Sequence, residues 1–154
     1  STLWNLVDFG AEERDESMPN TNNKGILYAD HRPKDVFYYY KSALRKEPVL
    51  HIATRDWKQR IGAPETEKNF IVQPVKVYSN LEKAELFIDG RSAGIKEFKN
   101  FHAIWDLALT EGSHNLQVKG EKNGARMMDQ FTIETILQPT LLKDSSFTIV
   151  GVNC

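Results

Sequence analysis

Paired carboxylates are the first residues in this sequence that could do chemistry. Glu12-Glu13 and Asp15-Glu16 stand close together, and general acid/base work by paired carboxyls needs surroundings that push their pKa values apart. Their neighbours are polar, with Pro19 and then Asn20, Asn22 and Asn23 following. No apolar pocket is at hand to raise either pKa, so the stretch reads as a solvated loop. His31, His51, His102 and His114 lack metal-ligand spacing, and no cysteine or carboxylate cluster joins them. They read as surface or loop histidines, and no metal site is expected. Ser113-His114 with Asp106 does not suggest a triad, because no glycine-flanked turn presents the serine. Cys154, the single cysteine, ends the chain without an internal partner. The chain by itself carries no legible catalytic set and no cofactor motif.

Composition narrows the class. The 154 residues suffice for one domain with an appendage. A hydrophobic content of 40% and a charged content of 27% are ordinary for a soluble globular protein. The net charge of −1 creates no field that would draw nucleic acid or an anionic membrane. No apolar run approaches the roughly 20 residues that span a bilayer. The chain opens at Ser1 on an apolar segment, with no initiator Met and no signal peptide, as expected of a piece from a longer polypeptide.

The elements that would position any site are organised around residues 75–94. Val75 and Val77 alternate with Lys76 and Tyr78, the pattern of a strand with one buried face. Ser79-Asn80-Leu81-Glu82 reads as a turn. Ala84, Leu86 and Ile88 alternate with Glu85 and Phe87 and run into Asp89-Gly90, a strong hairpin signal. Two hairpins in this stretch need a second sheet to cover them. Further strands are expected over 49–53, 70–72, 92–96, 103–109, 115–119 and 126–137, with turns at Asn100, Glu111-Gly112 and Asn123-Gly124. About seven short strands at this spacing form the pattern of an immunoglobulin-like β-sandwich. Residues 55–67, with Trp57, Gly62 and Pro64, read as a loop, and Trp57 and Trp105 should fill the sandwich core or its rim.

Before Pro48 the period is helical. Val36, Phe37, Tyr40, Ala43 and Leu44 recur on one face of a helix expected over 33–44. Pro33 suits the first helical position, and Lys41, Arg45 and Lys46 sit where the helix dipole favours cations. The apolar face should pack on the sandwich, and Tyr38-Tyr39-Tyr40 reads as packing rather than as an exposed platform. Leu3 to Phe9 is a short apolar strand candidate, and Gly25-Ile26-Leu27-Tyr28 a brief extended piece.

Three motifs, in order, resemble the C-terminal part of a family 2 glycoside hydrolase, the family of β-galactosidases and β-glucuronidases. Trp4-Asn5-Leu6-Val7-Asp8-Phe9 is similar to the last strand of that family's catalytic (β/α)₈ barrel. Asn22-Asn23-Lys24-Gly25, then Asp30-His31-Arg32-Pro33-Lys34, then the aromatic run from Val36 to Lys41, resembles the segment that ends the barrel with its eighth helix. VYSN, AELFIDGRSAG and FHAIWDLALTEGSHNLQVKG resemble the immunoglobulin-like domain that follows the barrel. The resemblance runs from about Leu3 to Ile136 and divides the chain into a barrel tail (1–46), a sandwich (47–138), and a linker with the start of a following module (139–154).

The resemblance implies a retaining glycosidase, β-galactosidase-like, acting on carbohydrate in a bacterial exported compartment. Its two catalytic glutamates, about 5–5.5 Å apart in a retaining enzyme, would lie on barrel strands ahead of Ser1, so this chain should hold none of the catalytic residues. Its partner would be the upstream barrel of the same polypeptide, and its role structural. Three residues would touch the sugar in the full enzyme. Trp4 could wall the sugar subsite, while Asn22 and Lys24 offer the amide and ammonium that could grip a sugar carboxylate. Two other readings of the same fold are a free-standing carbohydrate-binding module, for which Tyr78 and Phe87 are the available aromatics, and a cell-surface interaction domain.

Overall fold

The computed structural model describes residues 5–15, 19–64 and 68–138. The chain is mainly β, with one short helix. β1 (Phe9–Asp15) and β2 (Pro19–Asn22) form an antiparallel ribbon, and α1 (Asp35–Leu44) follows. The remaining strands are β3 (Leu50–Ile52), β4 (Gln59–Gly62), β5 (Phe70–Ser79), β6 (Lys83–Ile88), β7 (Arg91–Glu97), β8 (His102–Thr110), β9 (Gly112–Lys122) and β10 (Ala125–Leu137). They make a three-stranded sheet, β3-β5-β8, and a five-stranded sheet, β4-β10-β9-β6-β7.

Alternation in the sequence builds one core between these two sheets. β8 buries Ala103, Trp105, Leu107 and Leu109 and turns the residues between them outward. Val75 and Val77 join them from β5, and Leu86, Leu116, Val118 and Ile133 come from the five-stranded sheet. Trp105, 1% exposed, is the largest fully buried side chain. Its indole N–H donates to the Gly94 carbonyl on β7 at 3.0 Å, so the same residue fills the core and ties the two sheets together. Trp57 does the opposite of what its size suggests: it is 65% exposed.

The structure changes several expectations. β5 and β6 are not a hairpin, because they lie in different sheets. Residues 79–82 carry the chain from one sheet to the other, and their polar side chains hold the crossover. Ser79 Oγ donates to the Val49 carbonyl at 2.7 Å, and the Asn80 amide nitrogen donates to the Arg45 and Glu47 carbonyls at 2.9 and 2.8 Å. The polar stretch read as a solvated loop contains β1 and β2. A lone two-stranded ribbon has no buried face to write an alternation into its sequence. β4 lies in the second stretch read as a loop and pairs in parallel with the end of β10, Arg60 opposite Thr135.

The helix starts two residues later than the expected Pro33, with Lys34 as an extended N-cap at ψ 166°. It also presents a different face. Asp35, Tyr38, Tyr39 and Ser42 turn toward the sheet: Tyr38 stacks on His51 at 3.5 Å, Tyr39 meets Tyr78 edge-on at 5.8 Å, and Ser42 is 1% exposed. The expected apolar stripe points away, with Leu44 77% and Val36 38% exposed.

His114 is likewise no surface histidine. It is buried on β9, with Nδ1 2.7 Å from Asp89 Oδ2 and Nε2 2.9 Å from the Thr110 carbonyl. Asp89 sits in the β6–β7 turn at φ +50° and also accepts the Asn115 N–H at 2.8 Å. Burial works against the imidazolium, yet the Asp89 carboxylate and the Thr110 carbonyl outweigh it and raise the His114 pKa above 6.5. Burial likewise opposes the Asp89 carboxylate, but His114 and the Asn115 N–H hold its pKa below 3.8. A raised histidine stabilises fully below its unfolded value and loses that contribution as pH rises through its folded value. A depressed carboxylate stabilises above its unfolded value and loses its contribution as pH falls through its folded one. Stability from this pair should therefore plateau between about pH 4 and 6.5. Urea midpoints are expected to be higher at about pH 5.5 than at about pH 8, with the gap narrowed in His114→Gln. An unchanged gap in the variant would remove the pair from the account.

Candidate functional site

The loop after β2 is built around a close backbone approach. Asn22, 3% exposed, uses its side-chain oxygen twice: Asn5 Nδ2 donates to it at 3.3 Å and the Lys24 N–H at 3.2 Å, which closes a side-chain turn. Gly25 then passes directly over the preceding segment. Its N–H donates to Asp8 Oδ1 at 2.9 Å, and a Cβ at this position would stand 2.5 Å from the Asp8 nitrogen and the Val7 carbonyl carbon. No side chain fits there, whatever the backbone angles allow.

Asp8 is the hub of this arrangement. It is 7% exposed, and Lys34 Nζ donates to it at 2.7 Å and to the Asn23 carbonyl at 2.9 Å. Backbone bonds from Asp8 to Leu27, from Leu27 to Leu6 and from Lys34 to Ile26 close the frame. Residues 5–9, the loop 22–28 and the entry to α1 are thus one unit. Tyr28 fastens it to the β3–β4 loop by donating its hydroxyl to Asp56, a contact that, with burial, pushes the phenol pKa up to about 12.

Of the three expected sugar-binding residues, the structure brings Asn22 and Lys24 together on one turn, with the Lys24 side chain exposed. Trp4 lies outside the described residues, next to Asn5, which bonds Asn22. Sequence reasoning does not single out Asp8 and Lys34 as a pair. A carboxylate inside the apolar run Leu6-Val7-Asp8-Phe9 was the available signal, since a buried charge needs a partner.

A second polar cluster joins α1 to the sheets. His51, 6% exposed, lies with Nε2 3.4 Å from Asp35 Oδ1 and Nδ1 4.0 Å from Asp129 Oδ2. Asp35 also accepts the Thr54 N–H, while Asp129 on β10 accepts the Ile52 N–H at 2.8 Å and pairs with Arg55. Burial pushes the Asp35 pKa up, but the hydrogen bonds from His51 and Thr54 and the nearby cations outweigh it and hold the carboxyl below 3.8. A carboxylate held ionised in this way is an ion-pair partner, not a proton donor. His51, expected at the surface, is buried because carboxylates from two elements face it. Among the described residues no group of three or more metal-type ligands converges.

These geometries can be set beside those of known proteins. A family model described as a domain of unknown function, DUF4982, matches residues 71–128. The crystal structure of Bacteroides uniformis β-glucuronidase superposes on 88% of this chain with a TM-score of 0.84 and 43% identity. A curated β-glucuronidase of Bacteroides fragilis is 32% identical over 139 residues, 86% of this chain. The chain is homologous to a segment of the family 2 glycoside hydrolases. It spans only 16% of the solved enzyme's chain and 18% of the curated one. A β-galactosidase of the same family, BoGH2A of Bacteroides ovatus, is 26% identical over 72% of this chain. The expected β-galactosidase likeness therefore gives way to a β-glucuronidase likeness among these family 2 relatives.

Proposed function

We propose that this chain is a non-catalytic supporting segment of a β-glucuronidase-like family 2 enzyme. In this reading residues 1–46 close the catalytic barrel, 47–138 form an immunoglobulin-like sandwich that braces it, and 139–154 lead onward. The observation that carries the reading is the match of 88% of the chain, at 43% identity, to 16% of one β-glucuronidase. The outward stripe of α1 agrees with it: Val36, Ala43 and Leu44 are apolar and exposed on the face away from the sandwich, where a barrel neighbour would cover them.

The free-standing carbohydrate-binding reading loses its aromatic row. Tyr78 is engaged by Tyr39, and Lys119 Nζ lies over the Phe87 ring at 4.7 Å from its centroid. At the sugar site Asn22 sets the turn, Lys24 meets the sugar carboxylate and Trp4 walls the subsite. The test is hydrolysis of p-nitrophenyl β-D-glucuronide and β-D-galactoside by a polypeptide joining this segment to its barrel. Losing one charged hydrogen bond, about 1.5–3 kcal/mol, should lower kcat/KM for the glucuronide by roughly 10–100-fold in Lys24→Ala. The neutral galactoside should be unaffected. Equal losses on both substrates would contradict the carboxylate role.

A further inference from the structure

A cleft of about 470 Å³ opens beside β4, away from the Asn22–Gly25 turn. The topology creates it. β3 pairs with β5 only at Val77, Tyr78 and Ser79, so the first part of β5 is an uncovered edge on that side. The Ala53 N–H donates to the Lys76 carbonyl, which fixes the even-numbered backbone groups of β5 toward this edge. Pro74 sits there in register, where its missing N–H breaks no ladder bond. β4 belongs to the other sheet and forms the opposite wall.

The lining combines charge, amides and one large aromatic: Trp57, Gln59, Arg60, Gln73, Lys76 and Ile104. Trp57 is 65% exposed, and Arg60 is 9% exposed. The guanidinium donates to the Thr54 hydroxyl, and among the ion pairs of the described residues none includes Arg60. Burial works against its charge, with the Asp35 carboxylate only partly offsetting this from a distance. Thr135, its partner in the parallel ladder, holds a buried hydroxyl without a hydrogen-bond partner. Among the described residues its only side-chain hydrogen bond is the one to Thr54, and a buried guanidinium with donors to spare calls for an acceptor. Its planar fork matches a carboxylate, and Lys76 adds a second cation in the same cleft.

We propose that this cleft binds an anionic saccharide, a sugar whose carboxylate is held by Arg60 and Lys76 while its apolar C–H face lies on Trp57. Gln59 and Gln73 supply the amides that sugar hydroxyls require. The site is separate from the Asn22–Lys24 turn and does not depend on which bond a parent enzyme cleaves.

NMR titration of the 154-residue chain, read at the backbone amides of Gln59 and Gln73, which line the cleft and persist in every variant, tests it. The probes are a glucuronate-terminated disaccharide, the matching glucose-terminated disaccharide, and acetate. Saturable shifts are expected for the glucuronate probe alone, with affinity falling at least about tenfold in Trp57→Ala and in Lys76→Gln. Trp57 is exposed, so that variant should retain its fold, which the remaining amide spectrum reports. Equal binding of the neutral disaccharide would overturn the carboxylate role. Equal shifts with acetate would overturn the sugar platform, and no saturable shift, or binding unaltered by Trp57→Ala, would overturn the site.

Discussion

Trp105→Ala should be the most damaging single change in the two-sheet core, costing about 3–5 kcal/mol. The side chain is 1% exposed and contacts both sheets, so truncation opens a cavity that neither sheet can close alone. The change also removes the indole N–H bond to the Gly94 carbonyl at 3.0 Å, and that lost bond adds to the transfer and cavity cost. Against a total stability of about 5–15 kcal/mol for a domain, the variant stands near unfolding. Urea denaturation should show a much lower midpoint with an unchanged slope. Trp105→Phe keeps most of the volume and loses the hydrogen bond, so it should fall between the two. A loss below about 1 kcal/mol for the alanine variant would mean that Trp105 is not the keystone of this core.

Asp8→Ala should act as strongly but elsewhere. It leaves the Lys34 ammonium with one acceptor and the Gly25 N–H with none. Breaking a buried ion pair from one side costs about 3–5 kcal/mol, and Lys34 retains some solvent access, which places the loss near about 3 kcal/mol. Gly25→Ala attacks the same point through sterics, since the new Cβ meets backbone at 2.5 Å. Amide hydrogen exchange separates this from global destabilisation. Leu27 and Lys34, whose N–H groups close the frame, should lose protection in both variants, while Leu86 and Val118 in the core keep theirs. Uniform loss across both sets would show that the Asp8 frame and the two-sheet core unfold as one.

The sequence revealed strands better than it revealed their partners. Alternation around Val75, Leu86 and Trp105 marked which residues face inward, because a half-buried strand has period two whichever sheet it joins. It could not say that 79–82 changes sheets, since a crossover and a hairpin use the same turn residues. β4 is not legible because its four residues, ending on Gly62, hold too short an alternation to count. The helix is legible in the sequence, but its packing face is not. The sheet receives Tyr38, Tyr39, Asp35 and Ser42, partners for His51 and Tyr78, while the more apolar stripe is left for something else. At the loop, the Asn22–Gly25 motif was visible and its keystone was not. Asp8 shows its role only once Gly25 and Lys34 are brought to it from 17 and 26 residues away.

Hydrolysis by the purified 154-residue chain, with p-nitrophenyl β-D-glucuronide and β-D-galactoside as substrates, tests the supporting role most directly. No nitrophenol above the buffer rate is expected from either substrate. Saturable turnover that co-elutes with the chain on size exclusion would contradict the account.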